Sequence, residues 1–541
     1  HVPASQRRLC RFLSFSGLPE ERAAAMKEHA DVAIIGAGAG GATVGGELAE
    51  AGAQVVFLEA GKDLDITYGA DSHFAATQGI FKTISDGLFW HEQYQGRNWR
   101  TDMGQCAGGG TTIYAGVLEE STPRDYGLWP VSHEELLPYI ELAKKRYHVS
   151  RWPMEELSHY AKLMQEASAG LLGPIQSGYN REPYFEYGVF HDRCRKCRCC
   201  ILGCRYNAKA NALTIALPKA RWHGAQLYDN CLAVRLNANA SGMQIESVTY
   251  LKRTPTGLLT ERVEQRTLYA DRFILAAGSM MTPMLLHWSG RQGRALANAS
   301  GQVGKNLRGH FMRATYGILQ RDDVRTYQGN LVELNDQYKN YDNGYMLEFN
   351  MVAPPTYMGA MVEVMETDSL VDLIGLPFKR MMRQYSRMVI SAPLVRSADD
   401  GFTDKSVLFH SALTKRYGLP LPVVTFEPNE QERLWLDAGV AHAKQIMFSA
   451  GVESTQMWAG GIDVVHKVGT CRMGTDPRTS VTDLNGKSWA IDNLWIADGS
   501  LFPAPLLANC AFIIYCLAYK VADAILGRRQ SAANSAFADR Q

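Results

Sequence analysis

The chain has 541 residues, 46% of them hydrophobic and 21% charged, and its 56 Lys and Arg against 55 Asp and Glu leave a net charge of +1. That is the balance of a large globular enzyme with core enough for roughly two to four structural units. It excludes bulk-charge binding of nucleic acid or of a polyanionic substrate, and no run of about 18 apolar residues reads as a membrane span.

Residues 1–30, with Arg7, Arg8 and the stretch FLSFSGL, read as an N-terminal arm whose apolar run is too short and too polar for an intact signal peptide. From Asp31 the pattern changes. DVAIIGAGAGGATVGGELAEAGAQVVFLEAG reads as strand, glycine turn, helix and strand, with Gly36, Gly38 and Gly41 supplying G-x-G-x-x-G. Gly36 permits the tight turn, Gly38 lets the backbone approach a pyrophosphate at the helix N-terminus, and Gly41 allows close helix–strand packing. Glu59 closes the second strand and can accept hydrogen bonds from ribose hydroxyls. An acid there disfavours a 2′-phosphate, so FAD or NAD is expected rather than NADP.

Further along, five cysteines crowd into CRKCRCCILGC: Cys194, Cys197, Cys199, Cys200 and Cys204. Four of them, Cys194, Cys197, Cys200 and Cys204, keep the C-x2-C-x2-C-x3-C spacing of bacterial iron–sulfur ligands. Three thiolates suit a [3Fe–4S] cluster; four suit a [4Fe–4S] cluster or zinc, or form a metal-free structural motif. Arg205 stands where the ferredoxin run continues with Pro, and Cys199 is surplus. Disulfides rank last, because the adjacent Cys199 and Cys200 pair poorly.

A second strand-to-turn unit lies at Phe273 to Gly290 and a third at Asn493 to Pro505. A dinucleotide core assembled from such distant pieces is a habit of large flavoproteins, which favours FAD. The stretch between, residues 311–460, carries no dinucleotide motif, and its Met-rich run from MLEFNMVAPP to RQYSRM reads first as core packing.

These residues also carry a resemblance. GSMMTPMLLHWSG (Gly278 to Gly290), HKVGTCRMGTD followed by NLWIADGSLFP, QCAGGGTTIYAG (Gln105 to Gly116), VGKNLRGH (Val303 to His310) and LPKARWHGAQL (Leu217 to Leu227) are similar, in order, to the landmarks of glucose–methanol–choline (GMC) oxidoreductases. The resemblance implies an α/β plus α+β architecture: a two-domain flavoprotein with a discontinuous Rossmann-like FAD domain and an antiparallel-sheet substrate domain. The arm at 1–30 would precede an FAD domain at 31–310 with a cysteine insertion at 190–210, a substrate domain at 311–460, and a return to the FAD domain with the catalytic segment at 461–541.

It further implies that FAD contacts Gly36, Gly38, Gly41 and Glu59, with Gly109, Thr111 and Thr112 beside the flavin. Val234 would lie near the adenine, and Asp498 and Gly499 against the pyrophosphate–flavin region; as residues alone, ADGS also reads as a turn capped by its aspartate. Ile113 stands where members with a covalent flavin have His, so FAD is expected to be noncovalent. Tyr114 stands where an Asn commonly faces the flavin. His466 corresponds to the catalytic base and Asn509 to the residue that holds the substrate oxygen. His287, His310 and His410 lack that context and read as structural, and Cys471, Cys510 and Cys516 as small buried hydrophobes.

By resemblance the activity is oxidation of an alcohol or sugar, with electrons passed through the cluster to a cytochrome or quinone-linked partner subunit. A small chaperone-like subunit is a further expected partner. Since the chain lacks a span of its own, the partner would hold it at the periplasmic face of a membrane, with a cytoplasmic location as the alternative. The rival readings are a long-chain alcohol oxidase using dioxygen with a structural cysteine motif, a lyase or decarboxylase on the same fold, and a noncatalytic electron-transfer subunit.

Overall fold

The computed structural model describes residues 28–64, 91–94, 97–100, 104–350 and 383–528, apart from 199, 257–259, 292–293, 327, 399–400 and 415, together with positions 376 and 379. Nearly all of the arm, the centre of the Met-rich run and Cys199 lie outside these residues.

The glycine turn belongs to a seven-stranded sheet. Its core is parallel: Gln226–Tyr228 pairs with Val55–Leu58, that with His29–Ile35, that with the last part of Glu261–Leu275, and that with Leu494–Ile496. Val55–Leu58 is buried at every position, as a parallel strand covered on both faces must be. The 15-residue strand Glu261–Leu275 serves two partnerships. Its first part runs antiparallel to Ile245–Pro255, which continues the meander to Cys231–Ala238, while its end places Leu275 between Ile35 and Ile496. One long strand therefore delivers the turn after Leu275 and the turn after Ile496 to the side of the first glycine turn. Backbone bonds lock the junction, Ala276 donating to the Ile35 carbonyl and Ala497 to the Leu275 carbonyl, each at 2.8 Å.

The second sheet has eight strands and only antiparallel pairings. Thr315–Leu319, Met388–Arg396 and Tyr345–Asn350 form its centre, and Arg308–Met312 joins Met388–Arg396 to Asp463–Val468. Alternation divides its residues by face. Leu347, Phe349, Val389 and Val395 share a core with Leu436, Ala443, Ile446 and Met447 of the helix Glu430–Ser449. Met346 and Leu394 on the other face meet Leu507, two residues before Asn509. Register places His310, Met312, Tyr316 and Glu348 on that same face.

The two-domain expectation is met in kind: one mixed sheet with a parallel core and one antiparallel sheet.

Candidate active site

The helix Ala39–Glu50 begins at Gly38, which makes no side-chain cap, and no acidic residue occupies its first turn. The first backbone N–H groups of that helix are thus kept for an external anion such as a pyrophosphate. A Cβ at Gly36 would overlap the Ala276 carbonyl, one at Gly40 the Ala497 carbonyl and one at Gly41 the Gly36 carbonyl, so three segments converge here at backbone contact. Gly109 lies against the same turn: its own Cβ would stand 2.9 Å from the Gly38 Cα. Thr111 and Thr112 follow on the 3-10 turn Gly109–Thr112, their hydroxyls donating to the Gly108 carbonyl at 2.6 Å and the Ala107 carbonyl at 2.8 Å.

Glu59 is buried and accepts from Ala37 N at 2.9 Å and Gly61 N at 2.8 Å. Burial raises its carboxyl to about 7 despite those two bonds, and the lone pairs they leave unused can take ribose hydroxyls. Val234 is the extra residue of a bulge between Ala233 and Arg235, so it has no ladder partner in the register and its backbone can serve an adenine edge. Asp498 caps the turn Gly499–Leu501 by accepting from Ser500 N at 2.8 Å, and also accepts from Gly278 N at 2.9 Å and Thr282 Oγ1 at 2.5 Å. Its oxygens are spent clamping two turns, and Gly499 lies in one of them. A free helix N-terminus, an acid for ribose, an unpaired bulge and a glycine-lined approach together fit an extended FAD.

His466 sits on the strand Asp463–Val468 at φ 56°, a left-handed conformation that costs a nonglycine residue energy. The pairing with Arg308–Met312 slips there, Arg308 opposing Val468 but His310 opposing Val465. A bulge of this kind re-aims a side chain. Here it turns the His466 ring to His310, Nδ1 to Nδ1 at 2.8 Å, while His310 Nε2 lies 2.7 Å from the Leu506 carbonyl. A carbonyl only accepts, so His310 Nε2 carries the hydrogen, and neutral His310 offers a lone pair at Nδ1. His466 Nδ1 must then donate, which leaves His466 Nε2 as a bare acceptor. Burial, then the neighbouring His310 and Lys467, hold His466 well below 6.5, and burial lowers His310 to about 4. Both rings are neutral at pH 7.

Asn509 Nδ2 lies 3.5 Å from His466 Nε2 across 43 residues of sequence. Asn at the first position of a helix usually caps it, but Asn509 makes no side-chain cap to Cys510–Leu526 and is aimed at His466 instead. His310, read from sequence as structural, is in direct contact with His466; its only sequence signal was the landmark VGKNLRGH. His410 has no described side chain. Cys471 and Cys516 are fully buried and Cys510 partly so.

The cysteine segment gives no metal centre among the described residues, where no group of three or more His, Cys, Asp or Glu side chains could hold an ion. Cys194 Sγ lies 3.2 Å from Asn330 Oδ1, Tyr179 donates to Cys200 Sγ at 3.2 Å, and Ala208 N donates to Cys204 Sγ at 3.3 Å. Among the described residues, then, the side chains of Cys194, Cys197, Cys200 and Cys204 are not gathered as a group that could hold an ion. The segment does reach the turn Gly109–Thr112: buried Lys209 donates to the carbonyls of Thr112 and Tyr114, both at 2.9 Å, and of Cys200 at 2.6 Å. Tyr114, with its hydroxyl donating to the Ala210 carbonyl, packs its ring over the Lys209 ammonium.

Comparison with known proteins accounts for this arrangement. The N-terminal and C-terminal models of the family described as GMC oxidoreductase match residues 31–312 and 407–518. Paromamine 6'-oxidase of Streptomyces fradiae is 25% identical to this chain over 92% of it and 91% of the relative. 2-Methyl-1,2-propanediol dehydrogenase of Mycolicibacterium austroafricanum is 24% identical over 93% and 96%. Among solved structures, formate oxidase of Aspergillus oryzae superposes with a TM-score of 0.67 at 16% identity, covering 93% of this chain and 99% of its own, which speaks for the fold alone. With two models covering most of its length, the chain belongs to the GMC oxidoreductase family, flavoproteins that use FAD to oxidise CH–OH donors.

Proposed function

We propose that His466 Nε2 takes the hydroxyl proton of an alcohol whose oxygen is held by the Asn509 amide, while hydride leaves the same carbon. The observation that carries this is the donor order from the Leu506 carbonyl through His310 to His466, which leaves one bare ring nitrogen 3.5 Å from Asn509. A neutral imidazole at neutral pH suits proton abstraction, and an amide holds the oxygen without competing for the proton. Bound FAD supplies the hydride acceptor, so that proton, hydride and carbonyl product balance. The relatives' names include both an oxidase and a dehydrogenase, so the electron acceptor is a separate question.

Two measurements on one preparation test this. Acid precipitation should leave a yellow FAD supernatant, since Ile113 replaces the residue that would tether the flavin; a flavin that stays with the denatured chain sinks the noncovalent reading. Anaerobic addition of primary alcohols should bleach the flavin absorbance. If no alcohol does, a lyase on this fold becomes the better description.

A second reading concerns the electron exit. The C-x2-C-x2-C-x3-C spacing is that of a one-electron relay to a cytochrome or quinone-linked partner, and Lys209 ties the segment to the Thr112 and Tyr114 carbonyls, although no thiols among the described residues are gathered to hold a cluster. Its ligands would be drawn from Cys194, Cys197, Cys200 and Cys204. Iron and acid-labile sulfide at cluster stoichiometry, with a paramagnetic signal in the oxidised or dithionite-reduced protein, would support it. Metal-free protein that makes peroxide in air would end the relay and make the chain an oxidase.

A further inference from the structure

Asp125 is a buried carboxyl that the alcohol chemistry does not use. It lies 4% exposed on the 3-10 turn Pro123–Leu128. Its Oδ2 accepts from Thr122 N at 2.9 Å and Thr122 Oγ1 at 3.1 Å, while its Oδ1 accepts from Leu507 N at 2.9 Å across 382 residues of sequence. Trp129, at the end of the turn, docks on the same distant segment, meeting Phe502 edge to face with ring centroids 5.1 Å apart. A capping box explains the bonds to Thr122. It does not explain the bond to Leu507.

Leu507 N and the Leu506 carbonyl are the two ends of one peptide group, and that carbonyl accepts from His310 Nε2 at 2.7 Å. In a trans peptide the C=O and N–H point opposite ways, so this group passes a hydrogen bond straight through. The bonds run in one order: Asp125 Oδ1 accepts from Leu507 N, the Leu506 carbonyl from His310 Nε2, and His310 Nδ1 from His466 Nδ1 at 2.8 Å, which leaves His466 Nε2 bare. Every donor points toward the carboxyl, the arrangement in which each bond polarises and strengthens the next. Two backbone donors, the Thr122 hydroxyl and Tyr341 favour the charged form of a carboxyl that burial pushes up. Arg124, the adjoining cation, is turned to Asp342 at the surface. Tyr126 and Tyr338, the other titratable neighbours, are phenols that burial keeps neutral.

We propose that Asp125 is a positioning residue for the proton transfer: through the Leu506–Leu507 peptide and His310 it holds the donor order and raises the basicity of His466 Nε2. This rests on His466 being the base. Burial makes the His466 imidazolium costly, and His310 and Lys467 add to that cost. A carboxylate at the far end of a polarised chain offsets part of it, and from there it cannot compete with Nε2 for the substrate proton. Two rival roles are a brace for the turn and a fixture for Asn509, two residues after Leu507.

Proton NMR of the holoenzyme labelled with 15N-histidine reads the chain without turnover. In the wild type His310 should carry its hydrogen on Nε2 and His466 on Nδ1, both signals far downfield and assigned by their loss in His310→Ala and His466→Ala. The opposite tautomer of His310 overturns the proposal at once. Asp125→Asn keeps the size of the side chain but offers one oxygen to two backbone donors, so both ring signals should move upfield together. Flavin reduction by a saturating alcohol should slow about tenfold, with KM kept within about twofold. If Asp125→Asn does not retain FAD, Asp125→Ser takes its place, since it removes the carboxyl without setting an amide N–H against the backbone donors. Thr122→Ala weakens the capping box and spares the Leu507 bond; it should lower the melting temperature and leave the ring signals and the reduction rate as they were. Ring signals that stay in place in Asp125→Asn overturn the proposal: a raised KM would then assign Asp125 to Asn509, and a lower melting temperature alone would make it a brace. If His466→Ala is reduced by alcohols at the wild-type rate, the reading of His466 fails, and the ring signals still decide whether Asp125 polarises the pair.

Discussion

His466→Ala should lower the rate of flavin reduction by a saturating alcohol about 10²–10⁴-fold, the range for loss of a general base, with FAD content unchanged. The size of the effect follows from the geometry. Only Nε2 of this ring is bare, and Nδ1 is committed to His310. Asn509 can hold an oxygen but cannot accept its proton, so nothing in the pair replaces the base; Asn509→Ala should cost less, about tenfold, as the loss of a hydrogen bond rather than of the acceptor. The pH profile carries a second signature. A base is competent when neutral, and burial holds His466 well below 6.5. The wild-type kcat/KM should therefore show no break at 6.5 and fall only in more acidic solution. Stopped-flow reduction between pH 5 and 8 checks both points. Activity of His466→Ala within a few-fold of wild type would move the base elsewhere.

What the sequence discloses is what local chemistry dictates. The glycine turn was legible because each glycine answers a local need for a turn, an approach or a close packing, and those needs repeat wherever a pyrophosphate meets a helix N-terminus. The two-sheet division was legible only through the family resemblance carried by the order of the landmarks. His466 and Asn509 were legible only through the family pattern, since 43 residues separate them and a bulge together with an unused capping position brings them to 3.5 Å. The contact of His310 with His466 was not legible for the same kind of reason: it depends on a register slip between two strands whose histidines are 156 residues apart. The cysteine spacing shows the converse. Spacing along a chain permits a ligand set, but among the described residues no three of these side chains are gathered where an ion could sit.

His310→Ala should lower kcat/KM about 10–10²-fold without touching the reacting atoms, which makes His310 a positioning residue. Removing it leaves the His466 Nδ1–H buried without an acceptor, a penalty of about 1–3 kcal/mol that the ring can relieve by shifting its hydrogen to Nε2. That shift blocks the base. The decisive comparison is between two amides. The Asn side chain can place an oxygen near the position of His310 Nδ1 and accept from His466, so His310→Asn should recover much of the loss. The Gln side chain reaches toward the Leu506 carbonyl in place of Nε2 but presents no acceptor at the Nδ1 position, so His310→Gln should remain near His310→Ala. A merely structural His310 predicts the reverse order, or equal loss of FAD and melting temperature in both. The acid limb of the pH profile adds an independent check. His310 is one of the groups that depress His466, so its removal lets His466 rise toward 6.5, and the fall in kcat/KM on acidification should begin at higher pH than in the wild type. An unmoved acid limb together with rescue by Gln would show that the donor order from Leu506 through His310 does not set the base.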